Sequence, residues 1–115
     1  GWTENGETRE QVIDLICSEG REINKNTNLC DPIDAKVDLS NCKIDYNRGA
    51  KELKAIWEDK NYNAKQNAFY YVRVIQNPTC RWSTYDSLRV GQEPPKDYDA
   101  TITEMAWSSP IWISN

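Results

Sequence analysis

The chain has 115 residues, 38% hydrophobic and 28% charged, with a net charge of −4. These values predict one domain over residues 1–115 with a small core, since a chain of this size buries about two thirds of its unfolded surface. The five Trp and six Tyr residues predict an aromatic-rich core. The sequence has no basic stripe, no run of about 18 apolar residues and no signal peptide at its start, which argues against nucleic-acid binding and a membrane span.

Three segments in the first half of the chain have the composition of β-strands. Residues 10–18 (EQVIDLICS) are rich in β-formers and partly alternating, and a polar loop follows them. Residues 36–46 (KVDLSNCKIDY) alternate apolar and polar side chains, with a bulge or change of register at the Ser-Asn pair. Residues 52–59 (ELKAIWED) also alternate. Two turns of helix are the alternative there, but Gly49 before the segment and DKNYN after it favour a strand.

The second half begins with the most regular strand pattern. Residues 68–76 (AFYYVRVIQ) are apolar on both faces apart from one Arg and one Gln, which predicts a central strand. Residues 77–99 show no regular periodicity and contain three Pro residues, so we expect a long ordered loop. Residues 100–115 predict a final strand that is interrupted at residues 108–110, because Pro110 has no N–H to donate.

These elements predict a mainly β fold, an antiparallel β-sandwich-like domain with long loops. No long amphipathic helical pattern occurs, and residues 57–74 have the arrangement of a tyrosine corner, in which a Tyr-rich strand returns after a crossover. The leading Gly-Trp resembles the end of a strand whose earlier residues are absent. We therefore expect an incomplete sandwich that is a fragment of a longer parent protein.

The four cysteines, Cys17, Cys30, Cys42 and Cys80, lack the paired spacing of a zinc site, and no histidine is available to complete one. They can form one or two disulfides, with three possible full pairings. Disulfides favour a periplasmic or secreted protein over a cytoplasmic one. Cys17 can equally be a small buried hydrophobe. Cys30 with Cys42 is the expected pair, since both flank the same passage from loop to strand.

Two runs in the chain resemble a known family. They are GAKELKAIWEDKNYNAKQNAFYYVRVIQNPTCRWSTYDSLRVG at residues 49–91 and ATITEMAWSSPIWIS at residues 100–114. Both closely resemble the C-terminal region of a bacterial family of uncharacterised, predicted metal-dependent hydrolases related to the PHP (polymerase and histidinol phosphatase) superfamily, which includes carbaryl hydrolase. The resemblance spans roughly residues 2–115 and is strongest after Gly49.

This resemblance implies that the histidine and carboxylate ligands of the metal lie in a preceding PHP-like domain, since this chain has no histidine. It implies a non-catalytic accessory domain without a cofactor of its own, which is not an enzyme in isolation. The expected partner is the parent catalytic domain, which the loop at residues 77–99 would contact. Self-association through an exposed sheet edge is a second expectation.

The sequence predicts no catalytic and no metal-binding residue. Without histidine, the chain has no Ser-His-Asp or Cys-His site, and no Gly-rich phosphate loop occurs. Asp97 with Asp99, and Glu58 with Asp59, are carboxylate pairs of the kind that bind hard cations. In an acidic surface loop, solvated charge is the favoured interpretation.

The candidate residues for a ligand site or a domain interface are Arg81, Trp82, Tyr85, Asp86 and Trp107. An Arg beside two aromatic rings can stack on a planar group or clamp an anion. The favoured alternative is structural. Trp82 and Tyr85 would fold the loop back on the sheet, while Arg81 pairs with Asp86 or caps carbonyl groups, and Trp107 packs in a core or interface. A ligand- or carbohydrate-binding module that uses Trp82, Tyr85 and Trp107 is the alternative function.

Overall fold

The structure, a computed structural model, describes residues 1–114. Within them the chain forms twelve short β-strands, a 3-10 turn at Ser18–Gly20 and the helix α1 (Trp82–Arg89). The strands are β1 (Trp2–Glu4), β2 (Glu7–Arg9), β3 (Ile23–Asn24), β4 (Leu29–Cys30), β5 (Val37–Asp38), β6 (Lys43–Ile44), β7 (Ala68–Tyr70), β8 (Arg73–Ile75), β9 (Thr79–Cys80), β10 (Thr101–Ile102), β11 (Met105–Trp107) and β12 (Ile111–Ile113). This composition confirms the predicted mainly β class with long loops.

The strands pair into one four-stranded sheet and four two-stranded sheets. The order in the larger sheet is β12-β7-β1-β2, and its pairings are antiparallel. The smaller sheets are β3–β4, β5–β6, β8–β11 and β9–β10. By its contacts the chain divides into two compact units. The first unit holds residues 1–31, 52–74 and those from 106 onward, and the second holds residues 32–51 and 75–105.

The larger sheet belongs to the first unit. Strands β1 and β2 form a hairpin whose turn is Asn5-Gly6, with φ of 52° and 80°. Positive φ at both positions is what a two-residue type I′ turn requires, and Asn-Gly is its preferred sequence. Strand β7 lies between β12 and β1, with Phe69 opposite Trp112 and their ring centroids 5.1 Å apart. The prediction of a central strand at Ala68 is thus confirmed for its first part.

A disulfide links the 3-10 turn of the first unit to its β3–β4 hairpin. Cys17 at the start of the 3-10 turn is bonded to Cys30 in β4, across the β3–β4 hairpin. The carboxylate of Asp14 accepts a hydrogen bond from the backbone N–H of Cys30 at 2.6 Å, and the N–H of Asp14 donates to the carbonyl of Asn28 at 2.9 Å. These bonds fix the segment before the turn against the hairpin.

The second unit is held by the other disulfide, between Cys42 and Cys80. Cys42 ends the turn of the β5–β6 hairpin, and Cys80 lies in β9, which pairs with β10. The predicted pairing of Cys30 with Cys42 is therefore wrong. The two half-cystines that flank this passage are bonded to residues earlier and later in the chain.

Two predicted strands are absent. Residues 10–17 and 52–59 run without a turn or a bend, but neither forms a ladder, and the 3-10 turn begins at Ser18. Neither the strand predicted over residues 52–59 nor the alternative of two helical turns is present. The local composition favours β-structure, but strands require a paired neighbour, which the described residues do not provide for these segments.

Two other predicted strands are divided. Residues 36–46 form the β5–β6 hairpin instead of one strand, because the Asp38 carboxylate accepts hydrogen bonds from the backbone of Ser40 and the side chain of Asn41 and so holds a turn. Residues 68–76 are divided into β7 and β8. At the division, Val72 exchanges hydrogen bonds with Ser108, in the predicted interruption of the final strand. That interruption, between β11 and β12, is confirmed.

The predicted aromatic core is also wrong. The buried residues among those described are Cys17, Cys42, Ala68, Cys80, Ser83 and Thr84, and none of them is aromatic. The sheets are narrow, so rings that lie on them stay partly open to solvent. Three of the four half-cystines are buried, and the disulfides thus take the place of a larger apolar core.

Candidate functional site

The candidate residues in the second unit gather at the start of helix α1. Cys80 is opposite Thr101 in the β9–β10 ladder, and the next residue, Arg81, donates its backbone N–H to the carbonyl of Ala100 at 2.9 Å. The Nε of Arg81 donates to the carbonyl of Asp99 at 3.0 Å, and its guanidinium lies 5.6 Å from the ring centroid of Tyr98. Arg81 therefore caps a carbonyl group and holds two passages of chain together.

In helix α1 the most buried side chains are polar, and the aromatic side chains are exposed. Its buried residues are Ser83 and Thr84, and the Thr84 hydroxyl donates to the carbonyl of Ala100 at 2.7 Å. Trp82 and Tyr85 are 72% and 44% exposed, one turn apart on the same face. A surface helix of a soluble protein normally turns its apolar side chains inward. Here the small hydroxyl side chains point inward and the rings face solvent.

This helix corrects the expectation of an irregular loop over residues 77–99. The apolar spacing that signals a helix was missing because the buried face carries Ser and Thr. Trp82 also does not pack the loop back on a sheet, since most of its ring is open to solvent. The feature that could have revealed the helix is the uninterrupted run of residues 82–89 without Gly or Pro.

The two remaining candidates have different surroundings. Asp86 is exposed on α1, and its carboxylate makes no hydrogen bond or ion pair with the residues that the structure describes. Trp107 lies in β11, in the first unit, and is 58% exposed. Arg81, Trp82, Tyr85 and Asp86 thus share one short stretch of the second unit, and Trp107 belongs to the first unit.

A cluster that the sequence did not single out lies in the first unit. The hydroxyl of Tyr70 donates to Oδ2 of Asp59 at 2.7 Å, and the Tyr70 and Trp57 ring centroids are 6.0 Å apart. This hydrogen bond to a carboxylate raises the pKa of Tyr70 to about 12. The tyrosine-corner pattern at residues 57–74 was the only sequence signal for this cluster. That pattern does not identify Asp59 as the partner, because in a tyrosine corner the hydroxyl bonds the backbone. The cluster fastens the end of the unpaired segment 52–59 to strand β7.

Each unit also has a shallow cleft. In the first unit a cleft of about 250 Å³ is lined by Ile13, Asp14, Leu15, Ile23, Asn28, Ile56 and Trp57. In the second unit a cleft of about 180 Å³ has three cations on its wall, Lys36, Arg48 and Lys51. The first cleft is mostly apolar, which suits an apolar side chain. The second is also mostly apolar, with these cations on its wall, and the Asn77 side chain donates a hydrogen bond to the carbonyl of Arg48 there at 3.1 Å.

Within residues 1–114, no group of three or more His, Cys, Asp or Glu side chains could hold a metal ion. Of the carboxylate pairs considered above, Asp59 is engaged by Tyr70, and Asp97 and Asp99 are exposed. In the same part of the chain, no helix is long and apolar enough to cross a membrane.

A family model described as "Protein of unknown function (DUF3604)" matches residues 1–115. Among curated proteins and among solved structures, nothing matches the chain.

Proposed function

The chain belongs to the DUF3604 family, and we propose that it is a non-catalytic, disulfide-stabilised accessory domain that packs against the catalytic domain of a PHP-related metal-dependent hydrolase. The close resemblance of residues 49–91 and 100–114 to the C-terminal region of such hydrolases supports this role. The lack of histidine supports it as well, because a PHP-like metal centre needs histidine ligands, which another domain of the parent protein would have to provide.

The extent of exposed surface is the observation that carries the proposal. The chain exposes 9699 Å² to solvent. Two separate compact bodies sharing its mass equally would together expose about 7,800 Å², so the excess is on the order of 1,900 Å². Standard interfaces hide about 800 Å² per partner, and obligate ones hide more. The excess therefore corresponds to the area that an obligate domain interface would cover.

The outward face of α1 has the chemistry of such an interface. Trp, Tyr and Arg are the residue types enriched at the energetic centres of interfaces. Trp82 and Tyr85 lie on this face, and the exposed Arg89 follows one turn later. The proposal thus gives residues 77–99 the role of a domain contact, with Asp86 at its polar edge.

Localisation follows from the same proposal. Each unit contains one disulfide and has a small core, which suits an exported protein in an oxidising compartment. The parent hydrolase is accordingly proposed to act in the periplasm or outside the cell.

An activity assay tests the proposal directly. The 115-residue chain with both disulfides intact is assayed with divalent metal ions on esters, phosphoesters and carbamates, and no turnover above buffer is expected. Turnover that a single carboxylate substitution abolishes would contradict the accessory role.

The interface assignment is tested in the parent polypeptide. Trp82→Ser with Tyr85→Ser is expected to lower its thermal stability, because the rings lose their apolar contacts with the catalytic domain. Tyr46→Ser, at an exposed tyrosine of the same unit, serves as the matched control. Equal effects of the two changes would remove the assignment to α1.

Carbohydrate binding is a second candidate, favoured by the two exposed rings one turn apart on α1. Stacking on a sugar requires exposed aromatic faces beside polar groups, and the carboxylate of Asp86 is such a polar group. Calorimetric titration with neutral oligosaccharides is expected to show binding that Trp82→Ala abolishes. Absence of heat across the series would eliminate this candidate.

A further inference from the structure

Two straight segments of the first unit have β-prone sequences but do not pair with any strand among the described residues. We call residues 10–17 and 52–58 the open segments. Neither contains a turn or bend, and the backbone of residues 52–58 makes no hydrogen bond with any described residue. In the first segment Asp14 donates its N–H to the carbonyl of Asn28 and Cys17 is bonded to Cys30, while the other backbone groups make no hydrogen bond with a described residue. Extended backbone with free donors and acceptors is a template for an added strand.

The open segments also expose apolar side chains to solvent. Ile56 is 96% exposed, although it lies in an alternating, β-prone run. Val12, Leu15, Leu53 and Trp57 also belong to the exposed apolar residues. An isolated exposed apolar residue is ordinary, but a contiguous set beside an unpaired backbone marks an interaction site.

The open segments border the same cleft. Ile13 and Leu15 from the first, and Ile56 and Trp57 from the second, line the cleft of about 250 Å³. At the far end of segment 52–58, Tyr70 holds Asp59 and contacts the Trp57 ring, so this wall is fixed in place. The cleft can therefore receive an apolar side chain from a strand that pairs with either segment.

The charges of the open segments indicate what the strand carries. Glu10, Asp14, Glu52 and Glu58 stand against the single cation Lys54. Asp14 bonds the Cys30 N–H, and none of the three glutamates forms an ion pair with a described residue. A basic strand complements this rim, whereas a second copy of the same acidic segments would be repelled.

We propose that the open segments bind an extended β-strand with apolar side chains at alternate positions and Lys or Arg between them, contributed by the neighbouring domain of the same polypeptide. Such strand addition draws its affinity from main-chain hydrogen bonds and its specificity from the pockets for alternate side chains. This inference rests on the proposed function for the source of the strand. The chemistry of the site rests on the first unit alone.

The test uses blocked synthetic octapeptides and the oxidised 115-residue chain. One peptide alternates Val or Ile with Lys or Arg, and its matched control replaces every basic residue by Glu. The basic peptide is expected to shift the amide resonances of residues 10–17 and 52–58 and to bind at least about tenfold more tightly than the acidic one. Equal affinities, or shifts confined to other residues, would overturn the proposal.

Variants separate the backbone from the side chains. Ala55→Pro removes one N–H from the exposed segment, and Ile56→Ser removes its most exposed side chain. Each is expected to weaken binding about tenfold, while Val90→Ser, at an exposed apolar residue of the second unit, leaves it unchanged. Sedimentation at several concentrations gives a further check, because a dimer that the basic peptide dissociates would mean that a second copy occupies the cleft, which would overturn the assignment to the neighbouring domain.

The source of the strand is tested with overlapping peptides that cover the rest of the parent sequence. At least one alternating basic peptide is expected to bind at the open segments, and the absence of any such peptide would refute the assignment to the same polypeptide. The two proposals fail separately. Catalytic turnover by the 115-residue chain would refute the accessory role and leave the strand site in place, whereas loss of peptide binding without turnover would refute only the strand site.

Discussion

Removing the Cys42–Cys80 disulfide is expected to unfold the second unit. The perturbation is the paired substitution Cys42→Ser with Cys80→Ser. Besides these two half-cystines, the buried residues of the second unit are Ser83 and Thr84. No buried aliphatic side chain is present in the described part of this unit, and the disulfide is the covalent link between its β5–β6 hairpin and strand β9.

The magnitude follows from the length of the loop that each disulfide closes. Cys42 and Cys80 are 38 residues apart, and Cys17 and Cys30 are 13 apart. In the chain-entropy account, closing these loops in the unfolded state stabilises the folded state by about 4 and about 3 kcal/mol, respectively. A small domain has about 5–15 kcal/mol of stability in total. Loss of the longer loop therefore removes a large fraction of it.

The assay is urea denaturation followed by tryptophan fluorescence, together with amide hydrogen exchange. The paired Cys42 and Cys80 variant is expected to lose about 4 kcal/mol and the exchange protection of the β5–β6 hairpin and α1. The Cys17→Ser with Cys30→Ser variant is the matched control and should lose about 3 kcal/mol, with the effect confined to the β3–β4 hairpin. A smaller loss for the longer loop, or unchanged protection in α1, would refute the reasoning.

Three further predictions concern single residues. Tyr70 titrates near pH 12 because the Asp59 carboxylate stabilises its neutral phenol; the stability from this bond is complete below pH 10 and is lost as pH rises from about 10 to 12. Asp59→Asn should bring the pKa back toward 10, as read by ultraviolet absorbance. Gly6→Ala, at φ 80°, should cost about 1 kcal/mol in thermal unfolding because alanine is strained there, and no change would contradict the type I′ turn. Trp82→Ser should change the unfolding free energy of the isolated chain by less than about 0.5 kcal/mol, since the ring is exposed.

Much of the fold was predictable because the signals are local. The run AFYY, apolar on both faces, predicts that β7 lies inside a sheet, and the missing N–H of Pro110 explains the interruption before β12. The Asn5-Gly6 turn was equally readable, since Asn-Gly between short β-prone runs is the strongest signal for a hairpin. The β1–β2 hairpin is therefore encoded locally in the sequence.

The disulfides and the Tyr70–Asp59 bond could not be derived in the same way. Four cysteines allow three pairings, and only the path of the backbone brings Cys80 to Cys42. Asp59 and Tyr70 are separated by a polar crossover whose course depends on the whole first unit. Such contacts are decided by tertiary structure, which composition and periodicity do not encode.

The remaining failures have one physical cause. Residues 10–18 and 52–59 were expected to be strands because their composition favours β-structure, and helix α1 was missed because its rings face outward. In the first unit the β-prone segments find no strand to pair with, and in the second unit the aromatic side chains of α1 find no apolar neighbours to pack against. Natural sequences are consistent across these levels except where function demands otherwise. The mismatches therefore lie at the two surfaces for which we propose partners, the open segments and the outward face of α1.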